Sequence, residues 1–130
     1  MGDSGIGLEK KTDLPYEEAV LKTREALKAQ GFGVLTEIDV KKTLKEKIDE
    51  DFKKYIILGA CNPKYAHRAL SAEDNVGLLL PCNVIVYEEG EGAVVSAINP
   101  DVMVQIIDTE TMKSVADEVG ALLRKAIEAI

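Results

Sequence analysis

The chain has 130 residues, 46% of them hydrophobic and 30% charged, and its 23 acidic and 16 basic side chains give a formal net charge of −7. This length suits one domain that buries its own core, so no metal or disulfide is needed to hold the fold together. The acidic balance disfavours nucleic acid, because phosphate backbones are bound by clustered Lys and Arg. We therefore expect a single domain over residues 1–130 with no nucleic-acid partner.

The first half of the chain alternates predicted strands and helices. Asp13 is the expected N-cap of the first helix, and Gly31 is the expected left-handed residue just after its end. Asp39 is expected to cap a short helix whose apolar residues recur every four positions. The predicted order is a strand over 6–12, a helix up to residue 30, a strand over 32–38, a short helix after residue 39 and a strand over 54–60.

The second half repeats one local device, an Asn-Pro pair at a helix start. Asn62 precedes Pro63, and Asn99 precedes Pro100; Asn is a good N-cap, and Pro at the first helical position loses only an N–H that has no intrahelical partner. Pro81 predicts a bend or bulge, because Pro cannot donate to a central ladder. The predicted order is a helix over 63–72, a meander of strands over 76–80, 83–88 and 93–98 with a turn at 89–92, a short helix over 100–107 and an amphipathic helix over 110–129.

The tight turn at residues 89–92 joins two consecutive strands, which makes the sheet at least partly antiparallel. This order of elements favours an α+β fold in two layers, a mostly antiparallel sheet covered by helices, over a doubly wound parallel sheet. No apolar run approaches the ~20 residues that cross a bilayer, and no signal-peptide pattern is present. We expect a cytoplasmic protein with no membrane partner. No phosphate-binding glycine loop is found, and no cofactor is expected.

The residues that carry chemistry concentrate in two Cys-Asn pairs, each of which follows an apolar run. Cys61 directly precedes the predicted cap of a helix, where free backbone N–H groups favour a thiolate. His67, in the same helix, can serve as its acid–base partner, and Cys82 can serve as a resolving thiol. The alternative is that both cysteines pack in the core, where free Cys is commonly buried, and that His67 is a solvent-exposed helix residue.

A metal site is a further alternative. Cys61, Cys82, His67 and Glu37 together offer sulfur, nitrogen and oxygen donors, a mixture that borderline-soft metals accept. No recognised ligand spacing supports this set. Glu37 alone is expected to cap a helix or to form a surface ion pair. In a cytoplasmic protein the two thiols are expected to be reduced rather than joined in a permanent disulfide.

Three segments carry a family resemblance. At Thr36-Glu37-Ile38-Asp39, at Gly59-Ala60-Cys61-Asn62-Pro63 and at Leu79-Leu80-Pro81-Cys82-Asn83, the chain resembles the prokaryotic family called domain of unknown function 302, from about Leu8 to the C-terminus. The resemblance implies a small α+β domain likened to the TATA-binding protein, and dimers among its members. It points to Glu37, Cys61, Asn62, Pro63, Pro81, Cys82 and Asn83 and leaves His67 outside the signature. The family has no established activity, so no catalytic residue is assigned, and the likeness of fold does not imply DNA binding.

The leading functional hypothesis is a non-enzymatic module, homodimeric, that binds or senses a small molecule. Polar groups that converge beside apolar strands favour a small-ligand pocket. A thiol-based redox or nucleophilic protein that uses Cys61 with Cys82 is the first alternative, a metal-binding protein is the second, and a structural role with no site is the third. The candidate ligand-binding residues are Glu37, Cys61, Asn62, His67, Cys82 and Asn83.

Overall fold

The structure is a computed structural model that describes residues 2–3 and 5–130, with side chains from residue 5 onward. From residue 7 to residue 72, strands alternate with helices, as the sequence predicts. A short 3₁₀ segment interrupts the second half. The strands are β1 (Gly2–Asp3), β2 (Gly7–Thr12), β3 (Gly33–Asp39), β4 (Tyr55–Cys61), β5 (Cys82–Glu89) and β6 (Gly92–Ile98), the helices are α1 (Tyr16–Ala29), α2 (Val40–Ile48), α3 (Pro63–Ala72), α4 (Asp101–Ile106) and α5 (Glu110–Glu128), and the 3₁₀ segment is Asp74–Leu79.

The strands form one sheet in the order β1-β2-β6-β5-β4-β3. Every neighbouring pair is antiparallel. The predicted α+β class with an antiparallel, helix-covered sheet is therefore confirmed. Strands β4 and β5 are adjacent interior strands of the sheet, and both Cys-Asn pairs lie at the same end of these two strands, because Ala60 pairs with Cys82.

The pleat gives the sheet one covered face and one open face. On β4, Ile56 and Leu58 are buried in the core beneath the helices. Tyr55 and Ile57 alternate with them and are only partly buried. Since Tyr55 pairs with Tyr87 and paired residues share a face, the two tyrosine rings stack on the open face with centroids 5.4 Å apart. The fold is thus two layers, a sheet and a layer of helices.

The helix caps follow the sequence in part. Asp39 caps α2 as predicted, since its Oδ1 accepts a hydrogen bond from the Lys42 N–H at 3.0 Å. Gly31, after α1, has φ +86°, as expected of a left-handed residue. The prediction for Asp13 is wrong: Pro15 occupies the N-cap position of α1 with no side-chain cap bond. Its backbone is extended, φ −56° and ψ 153°, and the helix begins at Tyr16, two residues later than an Asp13 cap would place it.

Residues 76–80 do not form the predicted strand. The 3₁₀ segment replaces it, and a cis Leu80–Pro81 bond then leads into β5. In a 3₁₀-helix residues three apart share a side. Val76 is fully buried and Leu79 packs against the core, whereas Leu78 is 86% exposed. That pattern of burial suits a 3₁₀ turn and explains why an apolar run was mistaken for a strand.

Gly59 lies at a close approach between strands, and its replacement tests the packing beside the cysteines. A Cβ at Gly59 would stand 2.8 Å from Pro81 Cγ and would also meet the Thr36 hydroxyl. We expect Gly59→Ala to lower the free energy of unfolding, measured with urea, by about 1–3 kcal/mol because the Pro81 ring is rigid. Gly33→Ala is the control, since a Cβ there meets only the Cys61 carbonyl oxygen at 4.0 Å. Equal losses in the two variants would contradict the prediction.

Candidate functional site

A small cavity lies at the end of the central strands, beneath the helices. Its volume is about 30 Å³. The polar side chains in its lining are those of Cys61, Asn62, Tyr65 and Cys82. The rest of the lining is apolar and comes from strands, loops and three helices: Phe32, Ala60, Ala66, Ala69, Leu80, Pro81, Pro100, Met103, Met112, Val115, Ala116 and Val119.

The two cysteines reach this cavity in different ways. Cys82 shares a face with its partner Ala60, and its side chain is buried among the core residues. Cys61 is the last residue of β4, lines the same cavity and is only partly buried. Both thiols are free.

Burial sets the protonation state of the inner thiol. Loss of water raises the pKa of Cys82 from its ordinary 9.0 to about 11, and the nearby Cys61 adds a smaller contribution in the same direction. A thiolate is the reactive form of cysteine. Cys82 is therefore a neutral thiol at neutral pH and is a poor nucleophile as it stands.

Asn62 joins two helices at the edge of the cavity. It occupies the N-cap position of α3 with Pro63 at the helix start, as predicted, but its side chain makes no cap hydrogen bond. Its Nδ2 donates instead to the backbone carbonyl of Gln30, at the end of α1, at 3.3 Å. The predicted capping role of this side chain is wrong. The Asn62 side chain contacts the end of α1 instead of capping α3.

The other three candidate residues lie outside the cavity. Glu37 is exposed on β3 and forms a surface ion pair with Arg24. This is one of the two roles expected from the sequence. His67 is exposed and borders a shallow surface depression with Arg68 and Ser114. Asn83 is exposed at the start of β5. The structure therefore brings together Cys61, Asn62 and Cys82 but not the full candidate set.

The metal site composed of Cys61, Cys82, His67 and Glu37 is not assembled in this arrangement. Among the residues whose side chains are described, no three or more His, Cys, Asp and Glu are grouped so that they could hold a metal ion. Three side chains that sequence reasoning left out do reach the cavity, namely Tyr65, Met103 and Met112. Met112 belonged to the predicted apolar stripe of the last helix, but that pattern could not show which part of the sheet the stripe would contact.

The difference in burial predicts how the two thiols react. We expect iodoacetamide to modify Cys61 in the folded protein and to leave Cys82, which is 8% exposed, unmodified until the protein unfolds. Mass spectrometry of the peptides after timed labelling measures both rates in one sample. Urea-unfolded protein is the control, in which the two rates should converge. Equal rates in the folded protein would show that the cavity opens to solvent.

The fold and the cavity define a small α+β domain in which helices cover one face of an antiparallel sheet and thiols line a cavity at the strand ends. Residues 8–130 match the family described as Domain of unknown function DUF302, and the chain belongs to that family. The resemblance found in the sequence is thereby confirmed.

A solved structure shows the same fold. It is the crystal structure of an uncharacterized conserved DUF302 protein from Bacillus stearothermophilus, which is 27% identical and superposes with a TM-score of 0.88 over 95% of this chain and 97% of that chain. No curated protein matches the chain. Among the described helices, none is long and apolar enough to cross a membrane.

Proposed function

We propose that this protein is a non-enzymatic module that binds or senses a small ligand in the cavity lined by Cys61, Asn62 and Cys82. The observation that carries the proposal is that Cys61, Asn62 and Cys82, from two separate strand ends, line one cavity whose remaining lining is mostly apolar. That combination is typical of small-ligand sites, in which polar groups orient a ligand that apolar groups desolvate.

The size of the cavity limits the ligand. At about 30 Å³ it is far smaller than the several hundred Å³ of a site for a drug-sized molecule. A water molecule held there would need two or more polar partners, and an apolar lining offers few. The ligand that we propose therefore has few atoms, and these atoms are apolar or polarizable.

The thiol-based alternative has less support. The raised pKa of Cys82 disfavours its thiolate. His67, the proposed acid–base partner, is exposed on α3 and does not line the cavity. A binding role requires none of these residues to react.

Thermal-shift measurements with xenon, short alcohols and small thioethers test the binding proposal. A ligand at ~100 times its Kd stabilises the folded state by about 2.7 kcal/mol, which raises Tm by several degrees. Ala66→Leu fills the cavity from the partly buried side of α3 and should remove this shift. Ala121→Leu, at an exposed position of α5, is the control and should keep it.

The two Asn residues give a second comparison. Asn62→Ala should reduce the thermal shift that the probe produces more than Asn83→Ala does, because Asn62 lines the cavity and Asn83 does not. If no probe stabilises the wild-type protein, or if Ala66→Leu and Ala121→Leu respond alike, the cavity is not a binding site. In that case the Cys-Asn turns have only a structural role.

We also propose that the protein is a homodimer joined through β3. This seven-residue strand forms one edge of the sheet, and among the described residues it pairs only with β4. Leu35 is 69% and Ile38 is 49% exposed on it, and α2, which follows, buries none of its side chains. An edge strand with exposed apolar side chains invites pairing with another chain. A second copy is the fitting occupant, because two identical edges pair antiparallel about a two-fold axis and close the assembly.

Light scattering after size-exclusion chromatography tests this proposal. Leu35→Lys should convert the dimer to a folded monomer, since a charge on an edge strand blocks pairing. Leu78→Lys is the matched control, because Leu78 is 86% exposed on the 3₁₀ segment, away from β3. A wild-type protein that is monomeric throughout, or a dimer that survives Leu35→Lys, would refute the β3 interface.

A further inference from the structure

Several sulfur-containing side chains line the cavity. The chain has two Cys and three Met, and Cys61, Cys82, Met103 and Met112 line the cavity. Cys61 comes from β4, Cys82 from β5, Met103 from α4 and Met112 from α5. Buried methionines commonly fill irregular gaps in a core. Here a gap remains beside them, so residues with soft donor atoms from four elements border a space that packing has left open.

The chemistry of these donors selects a class of cation. Hard cations such as Mg²⁺ and Ca²⁺ require several oxygen ligands, and no Asp or Glu lines the cavity. Structural zinc sites use four Cys or His ligands, whereas this lining has two Cys and no His. Thiolate and thioether sulfur together select monovalent copper among the biological metals. A soft cation of that kind also fits a space of about 30 Å³.

We propose that the cavity binds one soft monovalent cation, Cu(I) or its redox-inert analogue Ag(I), through the sulfur atoms of Cys82, Met103 and Met112. Cys61 also lines the cavity and, being only partly buried, is the more accessible of the two thiols to an ion from solvent. This inference rests on the proposed binding function, for which it names the ligand class.

Charge balance supports the assignment. A buried lone charge is costly, but one thiolate and one monovalent cation form a neutral pair. A cysteine binds such a cation as the thiolate, so the Cys82 thiol proton must leave when the ion binds. The reaction is therefore exchange of one proton for one cation at Cys82 Sγ, with no change in oxidation state.

Titration of the folded protein with Ag(I) in weakly buffered solution tests the site. We expect one ion per chain to bind with release of about one proton at Cys82. The Met103→Leu and Met112→Leu variants should each weaken binding by about tenfold or more, and Cys82→Ala should abolish tight binding. Met-to-Leu changes conserve volume and are well tolerated in cores, so these variants keep the test valid if Cys82→Ala does not fold. Leu122→Met is the control for a volume-conserving change outside the cavity lining, and it should leave the affinity unchanged.

Two results would overturn the cation site. One is binding that survives both Met variants, and the other is binding that disappears in Cys61→Ala but persists in Cys82→Ala, which describes an ion on the accessible thiol alone. The thermal-shift panel separates this failure from failure of the proposed function. If Ag(I) does not bind in the cavity while xenon or a thioether still stabilises the wild type but not Ala66→Leu, the cavity binds an apolar ligand. If all probes fail, both proposals are wrong.

Discussion

Replacing Leu58 by Ala is expected to lower the free energy of unfolding by about 2–5 kcal/mol. Leu58 is fully buried in the middle of β4, on the face that the helices cover. It pairs across the sheet with Val84, which is also fully buried. Removal of its side chain leaves a cavity between the two layers, because neighbours in a packed core relax only partly.

Ile57→Ala is the matched control for this prediction. Ile57 is the next residue along β4, and the pleat places it on the open face opposite Leu58, where it is only partly buried. We expect it to cost well under half as much as Leu58→Ala when both are measured by urea unfolding. Similar costs would show that the second face is also covered in solution, which would contradict a sheet with helices on one side only.

The second prediction concerns stability at alkaline pH. The pKa of Cys82 is about 11 in the folded protein, against an ordinary 9.0, because burial disfavours the thiolate. Above pH 9 the unfolded chain loses this proton before the folded chain does, so the folded state is destabilised as pH rises. The stabilising contribution is complete below pH 9 and declines by about 1.4 kcal/mol at pH 10, with a total loss of about 2.7 kcal/mol above pH 11.

Cys82→Ala isolates this contribution, because it removes the titrating group while leaving the other alkaline titrations in place. Burial also raises the pKa of Tyr16, to about 12, and this group therefore adds to alkaline instability in every variant. We expect urea unfolding at pH 8 and pH 10 to show a smaller fall in stability for Cys82→Ala than for Cys61→Ala. The same fall in both variants would mean that the Cys82 thiol is not desolvated in the folded protein.

The two cysteines show how far local sequence signals extend. Both follow apolar runs, and sequence reasoning weighed them as a reactive pair. Strand register determines which of the two is buried. Cys82 pairs with Ala60, shares its face and is buried. Cys61 lies one residue further along the other strand and is partly exposed. A shift of one residue reverses the face of a strand side chain, and register depends on pairing across the sheet.

Asn62 gives the same lesson at a helix terminus. The Asn-Pro pair correctly predicted where α3 begins, because the conformation of Pro favours that position. The hydrogen bond of its side chain goes to Gln30 at the end of α1, a partner 32 residues earlier in the chain. No local pattern could indicate that contact, since it arises only when the two helices pack together.

The sequence by itself determined most of the strand and helix positions, the α+β class and the family, because apolar periodicity, turn residues and family motifs are local features. The prediction was wrong where burial, rather than a local pattern, determines the secondary structure. One such place is the 3₁₀ segment Asp74–Leu79, whose apolar run resembles that of a strand. Only the tertiary structure placed Met103 and Met112 beside Cys82 and kept Glu37 and His67 apart from it. Those distances depend on sheet register and helix packing, which are set by contacts between residues remote in the chain.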